Sequence, residues 1–433
     1  MEAERIALPK AGTPWPELEK RLAAAGEHDV AWRTGRAPAF IHFAGDDVLD
    51  VAKRAYLMYF SENGLGLRAF GSLAKFESEV VAMGLALLHG GADARGAMTT
   101  GGTESIFLAV KAARDKAPSA GRGSGRANIV LAFSAHPAFD KAAHFLGLDT
   151  IRTPLADDFR ADPRAIADAI NADTVMVVAS APAYPHGVMD PIAAVAAVAA
   201  ERKVWMHVDA CVGGYIAPFA RMLGAPVEAF DFAVPGVTSI SADLHKYGYA
   251  AKGASTLFFA DAESFAGMSY YFDNWPRGQY MTNTLVGTRA GGAIAAAWAV
   301  MNYLGEEGYL RVTRRVLDTR KAYEAGVEAL GFRTLGRPEL SILAFGSSSH
   351  DIAAVGRAMV RRGWMTGHVK NPPGLHLMLN LTHEPVVGEY LADLAASVQE
   401  AGHGPAPKPR RSRQSISAFA TGRGGAEGDN RRR

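Results

Sequence analysis

Four short runs carry residues able to do chemistry. The run Ser241-Ala242-Asp243-Leu244-His245-Lys246-Tyr247-Gly248-Tyr249 sets a lysine among small and aromatic neighbours. Such surroundings predict a desolvated amine of lowered pKa, suited to forming an imine with a carbonyl compound; a lone lysine would read as a solvated surface charge. The run His207-Val208-Asp209-Ala210-Cys211-Val212-Gly213-Gly214 ends an apolar stretch on a carboxylate. Ligands of open α/β sheets sit beyond the carboxyl ends of strands, where an anionic Asp209 could keep a pyridine nitrogen protonated and make that ring an electron sink. Read alone, it serves equally as a cap on the next element. In Thr99-Thr100-Gly101-Gly102-Thr103-Glu104-Ser105 the glycines allow close backbone approach, and free amides at a helix start bind phosphate with help from the Thr103 hydroxyl. An ordinary helix cap gives the same pattern. His136, in Ser134-Ala135-His136-Pro137-Ala138-Phe139-Asp140-Lys141-Ala142, follows an apolar run; it could lie against a planar cofactor or be a satisfied loop histidine.

These residues need elements to hold them. Asn128–Phe133, Thr174–Val178, Val204–Val208 and Ser255–Phe259 read as strands, with an alanine-rich helix opened by Asp190-Pro191 between the second and third. Apolar strands alternating with helices predict an α/β fold with a mainly parallel sheet. Ahead of them, helical lead-in segments begin near Trp15 and Asp50, and an amphipathic helix runs from Leu73 to His89 before Gly90-Gly91. After a helix over Gly291–Leu304, the order changes. Phe332–Thr334, Leu340–Phe345 and Gly374–Leu379 read as strands and Asp351–Arg362 as a helix. We expect four parts: an N-terminal helical segment (1–64), a large cofactor-binding domain (65–305), a small C-terminal α+β domain (306–401) and a disordered basic tail (402–433).

Bulk properties narrow the class. Of the 46 Lys/Arg and 44 Asp/Glu, eight and two respectively lie in the last 32 residues, so the formal charge of +2 hides an acidic body. That excludes a nucleic-acid surface, which needs concentrated positive charge. A single cysteine, Cys211, rules out intrachain disulfides and cysteine metal clusters, fits a reducing cytoplasm, and reads as packing. The histidines show no zinc spacing, so no metal is expected. The N-terminal residues lack an apolar signal core and no apolar stretch is long enough to span a bilayer, so export and membrane anchoring are not expected.

Taken in order, Gly101-Gly102-Thr103, His136, His207-Val208-Asp209-Ala210 and His245-Lys246 form a pattern that resembles fold-type I pyridoxal-5′-phosphate (PLP) enzymes. The chain is most similar to the sphingosine-1-phosphate lyase family, in the group II decarboxylase-like branch. The resemblance runs from about Tyr56 to Leu394 and is most specific at Thr100–Ile106, Ala135–Ala142, Ala183-Tyr184-Pro185-His186-Gly187 and Ser239–Tyr249. It implies a PLP transferase fold and a retro-aldol cleavage of a phosphorylated long-chain base to fatty aldehyde and phosphoethanolamine. By the same resemblance Lys246 carries PLP as a Schiff base, Asp209 partners the pyridine nitrogen and His136 stacks on the ring. Gly102, Thr103 and His245 hold the cofactor phosphate. The loop Gly287-Thr288-Arg289 resembles the segment that reaches a neighbouring subunit's phosphate, which implies a homodimer with shared sites. Lys252 matches a position associated with the substrate phosphate, and Tyr249 stands near it.

One segment departs from the family pattern. Where relatives carry Asn-Pro-Leu-His followed by Asp and Phe-Pro, this chain reads Asn63-Gly64-Leu65-Gly66-Leu67-Arg68-Ala69-Phe70-Gly71, with Gly66 and Arg68 at the family's His and Asp positions. Arg68 could supply an anion contact to substrate, or be an exposed helix-end residue. Two other readings compete: a PLP-dependent amino-acid decarboxylase, for which Arg68 or Arg289 would meet a substrate carboxylate, and a catalytically idle PLP-binding scaffold.

Overall fold

The computed structural model describes residues 5–66, 68–117 and 125–402, so all of the expected tail except Gly402 lies outside the described residues. Seven strands build the central sheet: β1 (Arg95–Thr99), β2 (Asn128–Ala132), β3 (Asp149–Thr153), β4 (Thr174–Ser180), β5 (Trp205–Asp209), β6 (Ser239–Ala242) and β7 (Ser255–Phe259). Their order is β1-β7-β6-β5-β4-β2-β3. β7 runs antiparallel to β1 and β6, and the other pairs are parallel. Every residue of β2, β4, β6 and β7 is buried, as expected where helices cover both faces of a sheet. The four predicted strands are β2, β4, β5 and β7.

Helices α1 (Trp15–Ala25), α2 (Asp46–Met58) and α3 (Gly71–Leu87) precede the sheet, and α4 (Gly102–Lys116), α5 (Ala138–Leu146), α6 (Pro163–Ala169), α7 (Ile192–Glu201), α8 (Ala217–Met222) and α9 (Ala262–Ala266) are interleaved with its strands. A short exposed hairpin, β8 (Tyr270–Phe272) and β9 (Tyr280–Thr282), follows; its sequence lacks the alternation that would have signalled it. Next comes α10 (Gly291–Ala329), two helical stretches joined at Gly305, whose φ of 54° and ψ of −175° break the spiral. The expected stop near Leu304 is therefore a kink. The chain can turn there because glycine adopts positive φ freely.

The last part holds β10 (Arg333–Thr334), β11 (Ile342–Gly346), β12 (Gly367–Lys370) and β13 (Pro373–Met378) in the antiparallel order β10-β11-β13-β12, with α11 (Ile352–Arg361) and α12 (Val387–Ala401) against it. Asp351 caps α11 by accepting from the backbone N–H of Ala353 and Ala354. Trp364, Tyr323, Tyr390 and Phe345 fill a separate apolar cluster there. The N-terminal segment is tied to this part. Met378 N–H donates to Pro38 O (2.8 Å), and the Asn380 amide donates to Ile41 O (2.8 Å), which fixes residues 38–43 beside the end of β13.

Candidate active site

A cavity of about 510 Å³ opens at the carboxyl ends of β1, β4, β5 and β6. Parallel strands deliver their last residues to one edge of the sheet, so Ser180, Asp209 and Asp243 meet there with the turn into α4. Its wall holds Gly102, Thr103, His136, Asp209, His245, Lys246 and Lys252, seven of the eleven predicted site residues. Phe40, His42, Tyr184, Asp243 and Met378 also line it.

Lys246 does not stand as a free, lowered amine. Burial, the largest single influence, disfavours the ammonium, but the Asp243 carboxylate, 2.9 Å from Nζ, together with Cys211 and Asp209, raises the lysine pKa overall. This corrects the expectation from the flanking residues. Asp243 is itself buried, which alone would favour its acid form, yet the Lys246 and His245 charges and the Ser255 hydroxyl (2.6 Å) keep it below the usual carboxylate range. The Lys252 ammonium is partly desolvated and feels Lys246, so its pKa falls; it donates to His245 O at 3.1 Å.

Asp209 ends β5 and accepts the backbone N–H of Cys211 at 3.1 Å. His136 is exposed toward the cavity, and its Nδ1 accepts the Ala138 N–H at 3.1 Å, which leaves the ring proton on Nε2. The first turn of α4 points the unpaired amides of a fifteen-residue helix at the cavity. His245 Nδ1 is buried without a hydrogen-bond partner among the described residues. A methyl on Gly101 would stand 3.5 Å from that imidazole, and one on Gly102 would strike Asp243 Oδ2 and Cys211 Sγ at 2.8 Å. The cradle therefore has no room for a side chain at Gly102, whereas position 101 would accept an ordinary contact.

Four predicted residues lie elsewhere. Tyr249 is buried, with φ at 57° and its hydroxyl unpartnered, and lines a second cavity of about 440 Å³ instead. Gly287 and Thr288 do not line the cavity of their own chain; Thr288 is exposed. Arg68 is exposed in the turn before α3 and lines neither cavity, which fits the reading of an exposed helix-end residue. Arg289, the other arginine considered for a substrate carboxylate, is buried and engaged: it pairs with Glu77 at 2.5 and 2.8 Å and donates to Met98 O and Gly64 O. It is not available to a substrate.

His42 and Phe40 escaped sequence reading because no motif marks the N-terminal segment that carries them. A signal existed for Tyr184 and Asp243, which sit inside the quoted runs. His42 lies well below its ordinary pKa through burial and the charges of Lys252, Lys246 and His245, and its Nδ1 has no hydrogen-bond partner among the described residues. Phe40 adopts φ of 64°, unusual for a bulky residue and a mark of local strain at the cavity mouth.

Comparison with known proteins decides the family. Residues 75–345 match the family model described as the pyridoxal-dependent decarboxylase conserved domain. A sphingosine-1-phosphate lyase of Arabidopsis thaliana is 39% identical over 92% of this chain and 75% of that protein. The rat sphingosine-1-phosphate lyase 1 is 38% identical over 93% and 71%. The chain belongs to the sphingosine-1-phosphate lyase family. A solved lyase of this family from Burkholderia pseudomallei superposes with a TM-score of 0.87 at 38% identity, covering 92% of this chain and 94% of that one. A glutamate decarboxylase from Lactobacillus brevis, at 17% identity and a TM-score of 0.81, shares the fold. The fold-type I architecture read from sequence is therefore correct, and the family's cofactor, PLP, is the cofactor of this lyase-family enzyme. The cradle fits it: free α4 amides and the orphaned His245 nitrogen suit a phosphate, and an amine and a carboxylate stand on the same wall.

Proposed function

We propose that this enzyme cleaves the C2–C3 bond of a phosphorylated long-chain base to a fatty aldehyde and phosphoethanolamine. One observation carries the reading beyond family membership. The catalytic cavity, which holds Lys246 and Lys252, shares a wall of His42, His245 and Lys252 with a second cavity of about 440 Å³, lined by apolar groups such as Trp32, Phe43, Leu49 and Tyr56. A charged chamber beside an apolar one suits a substrate with an anionic head and an aliphatic chain.

In this proposal Lys246 bears the cofactor, the α4 amides with Thr103 and His245 bind its phosphate, and Asp209 faces its ring nitrogen with His136 against the ring. Bound PLP supplies an electron sink for the pair left when the carbon–carbon bond breaks. Lys252 and His42 meet the substrate phosphate. Tyr184, whose pKa burial raises, keeps its hydroxyl proton at neutral pH and acts as a donor at the cavity wall. Lys246 Nζ or that hydroxyl returns the proton to the cleaved product. The engagement of Arg289 by Glu77 weakens the decarboxylase alternative.

We also infer a homodimer in the cytoplasm. An exposed apolar strip, Tyr271, Trp275, Met281, Leu285 and Val286, borders the loop of Gly287 and Thr288, and a second copy would cover it. Among the described residues no helix is long and apolar enough to cross a membrane.

The test is incubation of the PLP-loaded protein with dihydrosphingosine phosphate. Aldehyde and phosphoethanolamine should appear in equal amounts, and Lys252→Met should raise KM by about tenfold or more, the loss expected for a charge-assisted contact. Carbon dioxide from an amino acid with no aldehyde from the phosphate would overturn the reading.

A further inference from the structure

Behind Asp209 lies a polar stripe that the activity as described does not use. Trp205, His207 and Asp209 alternate along β5 and so share one face of the sheet. The register pairs His207 with Ser239 and Asp209 with Ser241 on neighbouring β6. His207, Ser239 and Ser241 are fully buried, in a position where covered parallel strands are ordinarily apolar. The intervening residues Met206, Val208 and Ile240 keep the apolar pattern on the opposite face.

The hydrogen bonds along the stripe have one consistent direction. An indole nitrogen only donates, so Trp205 Nε1 donates to Ser239 Oγ at 2.8 Å. Among the described residues the other partner of that hydroxyl is His207 Nδ1, at 2.8 Å, so the Ser239 proton goes there. His207 then carries its proton on Nε2 and donates to Ser241 Oγ at 3.2 Å. Ser241 in turn donates to Asp209 Oδ1 at 3.4 Å. Cys211 adds its backbone N–H to the same oxygen and its thiol to Ser241. The remaining carboxylate oxygen is left for the cavity.

We propose that Trp205, Ser239, His207 and Ser241 form a one-way relay of donors that holds Asp209 as an oriented carboxylate, with Ser241 and His207 as positioning residues for the cofactor ring. The inference rests on the reading of Asp209 as partner of the ring nitrogen. The relay is neutral: burial lowers His207 to about 4, so the imidazole directs a proton without becoming a competing cation. The other titratable groups around Asp209 are Cys211 on the following turn, Lys246 across the cavity, and Asp243 and His136 on its wall.

The experiment compares the PLP-loaded wild type with Ser241→Ala, Ser239→Ala, Ser239→Thr and Asp209→Asn. Three readouts are taken: the cofactor dissociation constant, the pH at which the bound cofactor's visible spectrum is lost on acidification, and the melting temperature of each cofactor-free protein. Ser241→Ala should weaken cofactor binding about tenfold and move the acid limb up by about one pH unit. Ser239→Ala should move both in the same direction by less, although it never touches the cofactor, and Ser239→Thr should restore them. Alanine variants that lower melting temperature but leave the acid limb in place, while Asp209→Asn moves it, would overturn the relay alone. An Asp209→Asn protein with unchanged affinity and spectrum would overturn the reading of Asp209 and the relay with it.

Discussion

At the scale of single residues, the ion pair of Lys246 with Asp243 sets the state in which the protein meets its cofactor. An ammonium cannot attack an aldehyde, so the pair must surrender a proton before PLP is bound covalently. Asp243 is the strongest of the groups that raise the lysine against the effect of burial, and removing its charge gives burial more weight. Asp243→Asn should therefore let cofactor-free protein recombine with PLP at lower pH, with the rate profile displaced downward by at least about one unit. The measurement is the rate of recovery of the visible band after PLP addition across pH; an undisplaced profile would mean that Asp243 does not govern the amine.

At the scale of elements, the site depends on how α3, β1, the turn at Gly64 and the start of α10 are fastened. Glu77 on α3 accepts the Met98 N–H and both Arg289 nitrogens, while Arg289 also donates to Met98 O and Gly64 O. The pair is nearly buried, with side-chain exposures of 10% for Arg289 and 14% for Glu77. Breaking such a pair strands a charge, so Glu77→Gln should cost about 3 kcal/mol or more, and the double variant Glu77→Gln/Arg289→Met should recover part of that. Thermal melting of the two variants beside wild type checks it; a single variant no less stable than the double would show that the arginine finds another partner. This is also where element-level reading of sequence reached its limit. The strand runs at 128, 174 and 255 were legible because strands covered on both faces are continuous buried stretches, whereas the hairpin at 270–282 has no buried face to write into its pattern.

At the scale of the whole molecule, the buried imidazoles set the response to acid. Burial lowers His186, His207 and His383 to about 4 each, and lowers His42, His245 and His376 as well. Below about pH 6.5 the unfolded chain takes up protons that these folded imidazoles refuse, so stability is lost as pH falls toward 4. Buried Asp190 and half-buried Glu339, raised to about 6 and about 7, and Glu324, also raised by burial, act oppositely, because the folded protein keeps protons that the unfolded chain releases. Six lowered histidines against three raised carboxylates give the net sign: the melting temperature of the cofactor-free protein should fall between pH 6.5 and 4.5. A rise over that window would show the carboxylates in control.

What the sequence determined by itself was local. Lys246 with its flanking residues, the glycine turn into α4 and the aspartate closing β5 are contiguous runs whose backbone course is written in their own composition, so the cofactor and the fold class could be read before any coordinates. Tertiary structure alone decided what those runs meet. It brought Phe40 and His42 from the N-terminal segment to the cavity, set Asp243 against Lys246 and reversed the expected lysine pKa, consumed Arg289 in a buried pair, and left Tyr249 on the wall of the neighbouring chamber. The register of β5 against β6, which lines two serines up with a histidine and an aspartate, is of the same kind. Register, burial and charge pairing depend on groups distant in the chain, and each acts over a few ångströms that only folding closes.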